Sequence, residues 1–175
     1  MKNRGFGVNI LCFCLLFLLT GASRLPAEDL YTAPPKIQAG LFLKLLGFNK
    51  GIASGGDISI HVVASPEFAA AMKKAVGKAV GKGRLSSVTE GNSVPTEKPT
   101  VIYVGDSSKT HEVISYTRAN KILSITGLPD QVNNGITLGV GVLGGKPKIM
   151  LNISSSKEEG VDWNPALLKI ASVIK

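Results

Sequence analysis

The chain has 175 residues, a formal charge of +8 and a hydrophobic fraction of 44%. Its length suits one domain of ordinary size. The basic residues are dispersed and only 6% of the residues are aromatic, a combination that argues against a nucleic-acid partner.

The first 27 residues have the layout of a secretory signal peptide. Lys2 and Arg4 give a positive start, Ile10–Leu19 is an unbroken apolar run, and small residues follow it. The run is too short to span a bilayer, which takes about 20 residues. We predict cleavage after Ala27 and export to the periplasm, with cleavage after Ala22 or a retained anchor as the alternatives.

Cleavage would change the chemistry of the chain. The leader contains both cysteines, Cys12 and Cys14, and its loss also removes Lys2, Arg4 and Arg24, which lowers the charge from +8 to +5. The exported chain then has no cysteine for a disulfide, so its stability must come from a packed core.

The first helix follows an extended lead-in, residues 28–35, that ends in two prolines. Apolar residues spaced three and four apart predict this helix over Lys36–Phe48. Its wide apolar face runs from Ile37 to Phe48. We expect the middle of the face to pack on a sheet, whereas exposed parts near its ends would offer Ile37 and Phe48 to a binding partner.

A strand and a second helix come next. The run Ile58–Ala64 is typical of a strand, and the second helix is predicted from Pro66 to about Val80, with Ser65 as its cap. Three lysines would form a basic stripe on this helix, either a solvated face or an electrostatic contact: Lys74, Lys78 and Lys82.

Two further strands, Leu85–Thr89 and Thr100–Val104, precede a third helix over Lys109–Arg118. The junction before that helix is rich in capping residues, and such junctions either cap a helix or bind an anion at its N-terminus. The candidate residues at this junction and at the one before the second helix are Ser65, Asp106, Ser107 and Ser108.

The stretch from Lys121 to Ile153 organises the predicted fold. A short strand over Ile122–Ile125 is followed by two β-branched runs, Ile136–Val142 and Lys148–Ile153, which a Gly-Gly turn joins into an antiparallel hairpin. The glycines also match GxGxxG, but a strand rather than a helix follows, which argues against a dinucleotide site. A last helix is predicted to begin at Pro165 and to bury Leu168.

Strands that alternate with helices predict a single α/β layered domain over residues 36–175. Its sheet should be mixed and partly parallel, with a C-terminal antiparallel hairpin followed by a closing helix. His61 and His111 lack a second ligand at metal spacing, and Glu158 and Glu159 lack a catalytic partner. We therefore expect no enzyme, no cofactor and no metal.

The order of elements resembles the YfiR-like family of exported bacterial regulators, from Lys36 to Lys175. The segments that carry the resemblance are Ile122-Leu123-Ser124-Ile125, Gly135-Ile136, the strand Lys148–Ile153 with its late Asn152, and Leu167-Leu168-Lys169-Ile170-Ala171. The resemblance implies a periplasmic binding protein that restrains the sensing part of an inner-membrane diguanylate cyclase, and so lowers cyclic-di-GMP and biofilm formation. A homodimer is left open, and an exported small-ligand-binding protein is the alternative.

Overall fold

The computed structural model describes residues 29–175, and the predicted signal peptide lies outside them. The helices are α1 (Pro35–Leu46), α2 (Lys50–Ala53), α3 (Pro66–Lys73), α4 (Thr110–Asn120), α5 (Asp130–Asn133), α6 (Ile153–Glu158) and α7 (Pro165–Leu168), and a 3-10 turn covers Ser107–Lys109. The strands are β1 (Asp57–Val63), β2 (Ala79–Val80), β3 (Gly83–Gly91), β4 (Val101–Val104), β5 (Leu123–Thr126), β6 (Leu138–Leu143), β7 (Lys146–Asn152) and β8 (Ser172–Ile174).

These strands form one mixed sheet in the order β2-β3-β1-β4-β5-β6-β7-β8. The neighbours from β3 to β6 are parallel, β2 pairs antiparallel with β3, and β8 is parallel to β7. The β6–β7 pair is the predicted antiparallel hairpin. Its turn residues Gly144 and Gly145 have φ of 55° and 73°, which suits a two-residue primed turn. The predicted α/β class is confirmed.

Helices cover both faces of the sheet. Phe42 of α1 and Phe68 of α3 pack on one face, against strand residues such as Ile60. On the opposite face, Val113 of α4 packs against Ile102 of β4. Alternating strand residues therefore enter two separate cores, and the central strands read as nearly continuous apolar runs because both of their sides are covered.

The second helix is shorter than its pattern predicts. It ends at Lys73, and Val80 lies in β2. Gly77 and Gly81 take positive φ of 88° and 62°, so the chain turns where helical spacing continues. A Cβ on Gly81 would lie 2.7 Å from the Cα of Ala53, so this turn is fixed by a tertiary contact. The predicted lysine stripe is wrong for the same reason.

The structure also corrects the predicted closing helix. It has a single turn, Pro165–Leu168, after which the chain forms the edge strand β8. Leu167 is completely buried, whereas Leu168 is 43% exposed. The predicted core role of Leu168 is therefore wrong, because a one-turn helix presents only one of two adjacent leucines to the sheet.

Candidate functional site at the carboxyl edge of the sheet

The parallel strands create a crevice between the carboxyl ends of β1 and β4. The chain leaves β1 for α3 on one face and leaves β4 for α4 on the other. Within the parallel part, the order β3-β1-β4-β5-β6 is that of a doubly wound sheet, whose ligands bind at such a switch point. The predicted loop residues Ser65 and Asp106 follow β1 and β4 and therefore lie at this edge, as Val63 pairs with Val104.

The chain itself closes this crevice. A Cβ on Gly105 would overlap the Cβ of Ser65, so the two loops touch directly. Ala64, between β1 and Ser65, has a φ of 54°, a conformation that costs a non-glycine residue free energy. The Ala64 N–H donates to Gly91 O at 2.8 Å, which ties the end of β1 to the end of β3.

A buried polar pair lies beneath the two loops. The Tyr103 hydroxyl donates to Gln38 Oε1 at 2.8 Å, and Gln38 Nε2 donates to the Ala33 carbonyl at 2.6 Å. The Gln38 carboxamide covers Gly127, where any Cβ would overlap it. Burial raises the pKa of Tyr103 to about 12, against the opposing effect of hydrogen bonds from its neighbours, including Ser65. The phenol is thus neutral at ordinary pH, in keeping with the hydrogen bond that it donates to Gln38.

Aromatic rings fill the space beside this pair. Phe68 stacks on Tyr103 with ring centroids 3.7 Å apart, and Phe42 meets both rings edge-on. Such contacts add to the stability that the buried ring area already gives. The region that holds a ligand in other doubly wound sheets is here a packed core.

The predicted anion-loop residues separate into two clefts. Ser65 lines a small one of about 140 Å³ with Glu90 and Asn92. Ser107 lines a larger one of about 410 Å³ with Tyr31 and Gln131, among others. The two serines therefore do not share one pocket. Their role in binding an anion or ligand stays a prediction.

Neither predicted capping residue makes a side-chain hydrogen bond to the α-helix it was expected to cap. The side chain of Ser65 makes no capping hydrogen bond to α3, so that part of the prediction is wrong. Asp106 caps the 3-10 turn Ser107–Lys109 that precedes α4: its Oδ1 accepts from the Ser108 N–H at 2.8 Å, whereas α4 itself has no side-chain cap. Hydrogen bonds from Ser108 lower the pKa of the Asp106 carboxyl, which keeps a negative charge on the exposed loop beside Ser107.

The two residues predicted to contact a partner differ in exposure. Ile37 is 49% exposed on the outer side of α1. Phe48 is half-buried and packs against the core. The Phe48 carbonyl also accepts a hydrogen bond from the Asn164 N–H at 2.8 Å. Only Ile37 therefore offers a large free apolar surface, and its role in binding remains to be tested.

The buried His61 has two hydrogen-bond partners, both on the strand β3 or the loop after it. His61 Nε2 donates to the Ser93 carbonyl at 3.0 Å, and its Nδ1 lies 2.8 Å from Thr89 Oγ1. This ring holds the loop after β3 against β1. Among residues 29–175, no group of three or more His, Cys, Asp or Glu side chains is placed to hold a metal ion.

Glu159, for which the sequence pattern offered no partner, has three hydrogen-bond donors in the fold. Its carboxylate accepts hydrogen bonds from Thr117 Oγ1, the Ser124 N–H and Thr137 Oγ1 at 2.6–2.9 Å. Burial raises its pKa, although these hydrogen bonds act in the opposite direction. Because all three partners are donors from the fold itself, Glu159 joins α4, β5 and the start of β6 to the end of α6.

The sequence model of the YfiR/HmsC-like family matches residues 35–172. The chain belongs to this family. For a YfiR/HmsC-like protein, membership supports in broad terms a regulatory role in the periplasm. No helix in the part of the chain that the structure describes is long and apolar enough to cross a membrane.

Solved structures share the fold of this YfiR/HmsC-like chain. A conserved domain protein from Vibrio cholerae O1 biovar El Tor has a TM-score of 0.57 and 16% identity over 82% of this chain. The ABC domain in complex with L-Trp from Streptococcus pneumoniae has a TM-score of 0.52 and 20% identity over 81% of it. This chain covers 60% of each of those two chains. No curated protein matches the sequence.

Proposed function

We propose that this chain is an exported, non-enzymatic regulator that binds the sensing part of an inner-membrane diguanylate cyclase. Its binding would lower cyclic-di-GMP and biofilm formation. The observation that carries the proposal is the YfiR/HmsC-like match, which spans residues 35–172 and thus nearly the whole described chain.

The packing at the carboxyl edge of the sheet supports a protein partner over a chemical reaction. Gln38 fills the space over Gly127, and Tyr103 stacks on Phe68 where a doubly wound enzyme keeps its ligand crevice. The buried polar groups there are already paired with one another. An activity that uses the outer surface of the protein agrees with this arrangement.

Regulation requires only a difference in affinity. The chain must bind one state of a two-state membrane partner more tightly and shift its population by that difference. Ile37 is our proposed contact, because it is an exposed apolar residue on the helix α1. Nearby, Lys36 borders an apolar groove of about 350 Å³ that Ala70 and Ala71 of α3 also line.

A capture experiment tests the proposed contact. The exported protein is immobilised and exposed to solubilised inner membranes, alongside Ile37→Ser and the control Lys44→Ser, which changes another exposed residue of the same helix. We expect the wild type and Lys44→Ser to retain a membrane diguanylate cyclase, and Ile37→Ser to retain less of it. Retention of no cyclase by any variant would contradict the proposal.

Small-ligand binding is a second candidate, favoured by the 410 Å³ cleft beside Ser107. One of the structures with this fold is described as a complex with L-Trp. Calorimetric titration with L-tryptophan and other amino acids tests it, with Gln131→Ala as the variant that should weaken binding. Absence of heat across the panel would remove this candidate for amino acids.

A further inference from the structure

The N-terminal segment Asp29–Ala33, here called the strap, lies beside strand β6. Tyr31 and Val142 exchange both backbone hydrogen bonds, at 3.0 and 2.8 Å, in an antiparallel bridge. This is the strap's one β-bridge within the described residues. Four of its five residues are exposed, including Tyr31 at 52%. The strap is thus an extended segment with few ties to the domain.

The strap fills a gap in the sheet. β5 pairs with β6 only at Leu138 and Gly139, so the next residues of β6 face the strap instead. In the hairpin, Val142 is opposite Pro147, which has no N–H to donate. The backbone groups of Val142 therefore point away from β7 and into the gap. We call this edge of β6, residues 140–143, the slot.

The slot is shaped for the backbone of an extended chain. A Cβ on Gly141 would lie 2.7 Å from Pro129 Cγ and 3.1 Å from the Tyr31 carbonyl oxygen. Only glycine lets a neighbouring chain approach so closely at this point. The cleft of about 410 Å³ next to the slot, lined by Leu30 and Pro129 among others, provides room for side chains.

We propose that the slot is the docking site for an extended segment of the membrane partner, which displaces the strap and pairs antiparallel with β6. The proposal rests on the proposed regulatory function. Its present occupant is itself an extended peptide bound through main-chain hydrogen bonds, and strand addition to a sheet edge is a common way to bind such segments. The slot therefore selects a peptide strand, rather than a helix or a small molecule.

Strap displacement is coupled to the buried polar pair. The Ala33 carbonyl accepts from Gln38 Nε2, and Gln38 in turn accepts from the Tyr103 hydroxyl. If the strap left and nothing took its place, Gln38 Nε2 would be buried without an acceptor, which costs free energy. An incoming segment must therefore extend far enough to supply a carbonyl at the position of Ala33.

A reversible disulfide can lock the strap in place. Tyr31 and Val142 form a hydrogen-bonded antiparallel pair, whose Cα atoms are about 5.5 Å apart and within disulfide range. Residues 29–175 contain no cysteine, so Tyr31→Cys/Val142→Cys forms one defined bridge. The control is Ala79→Cys/Arg84→Cys, an exposed antiparallel pair of β2 and β3 at the opposite edge of the sheet, which forms a disulfide of the same kind and leaves both the strap and the slot unchanged.

The first readout needs no knowledge of the partner. The probe is a fluorescent synthetic peptide with the strap's own sequence, residues 28–35, titrated against each protein by anisotropy. We expect the oxidised lock to bind it at least about tenfold more weakly than the reduced lock, whereas oxidation leaves the control unchanged. Equal affinity for the oxidised and reduced lock would overturn strap displacement.

The second readout is cyclic-di-GMP in the deletion strain, because the oxidising periplasm forms both disulfides. We expect the control to lower the nucleotide as the wild type does, and the lock to be exported and folded yet ineffective. A lock as effective as the wild type would overturn docking at the slot and leave the regulatory function intact. If the wild type itself has no effect, the proposed function and its membrane partner fail together, while the peptide titration still reports on the slot.

Discussion

Glu159 is one buried residue that links several elements, and its contribution to the stability of the fold depends on pH. Its carboxylate is nearly inaccessible and is held by three donors from α4, β5 and the start of β6. Burial raises its pKa in the folded state above that in the unfolded chain. The folded state then binds more protons, so this group's contribution is greatest below the unfolded pKa and is lost as pH rises through the folded pKa.

Glu159→Gln should therefore flatten the pH dependence of stability. The amide oxygen still accepts from Ser124 and Thr137, and Thr117 can rotate its hydroxyl to accept from the amide nitrogen. We expect the wild type to lose unfolding free energy relative to this variant as pH rises above about 4.3, the usual glutamate pKa. Urea titrations at several pH values measure this difference.

Glu159→Ala is the matched control, because it leaves the same donors buried without an acceptor and should cost about 1–3 kcal/mol. An equal loss for the Gln and Ala variants at neutral pH, with an unchanged pH slope, would contradict this account of Glu159.

A substitution at Gly127 tests the buried polar pair. Gly127→Ala places a methyl group where the Gln38 carboxamide lies, so Gln38 must give up its bonds to Tyr103 and Ala33. We expect a loss of about 1–3 kcal/mol in chemical denaturation. The loss should shrink in a Gln38→Ala background, since the clash is then gone, and a double-mutant cycle measures this coupling. Strict additivity would mean that the two residues do not meet.

At the scale of elements, local signals predicted most of the fold. The Gly144-Gly145 turn and Pro66 at the start of α3 lie where sequence patterns placed them, and α1 begins at Pro35, one residue before the predicted start. The errors occur where a contact between residues far apart in the sequence determines the local structure. Gly81 turns against Ala53, and β8 forms because β7 offers a free edge to the last residues. Spacing along the chain carries no information about either contact.

The two adjacent leucines of α7 give the sharpest test of the closing element. Leu167→Ala should cost about 2–5 kcal/mol, because its side chain is fully buried. Leu168→Ala should cost less than about 1 kcal/mol, because that side chain is largely exposed. Thermal and denaturant unfolding of both variants measure these losses. A larger loss for Leu168→Ala than for Leu167→Ala would favour the longer closing helix that the sequence predicts.

For the whole molecule, the sequence predicted the α/β class and the parallel core but not the state of the switch point. Ser65 and Asp106 were correctly placed at strand–helix junctions, since capping residues mark such places. That Gln38 fills the space over Gly127 depends on residues 89 positions apart. The candidate ligand site, and the way Gln38 fills it, could therefore be predicted only from the fold.

Export is a prediction about the whole chain that lies outside the described residues. The charged start and ten-residue apolar run predict a mature protein that begins at Glu28. Mass measurement of the protein purified from the periplasm checks this. A membrane-bound product that retains Met1 would show that the leader is kept as an anchor.

The central claim is that this YfiR/HmsC-like chain restrains a diguanylate cyclase from the periplasmic side. The most direct measurement is intracellular cyclic-di-GMP in a strain that lacks the gene, with and without the exported protein supplied in trans. The account predicts a higher nucleotide level in the deletion strain and a return to the wild-type level on complementation, provided that the leader is present. An unchanged level in the deletion strain, or full complementation by a leaderless chain confined to the cytoplasm, would contradict it.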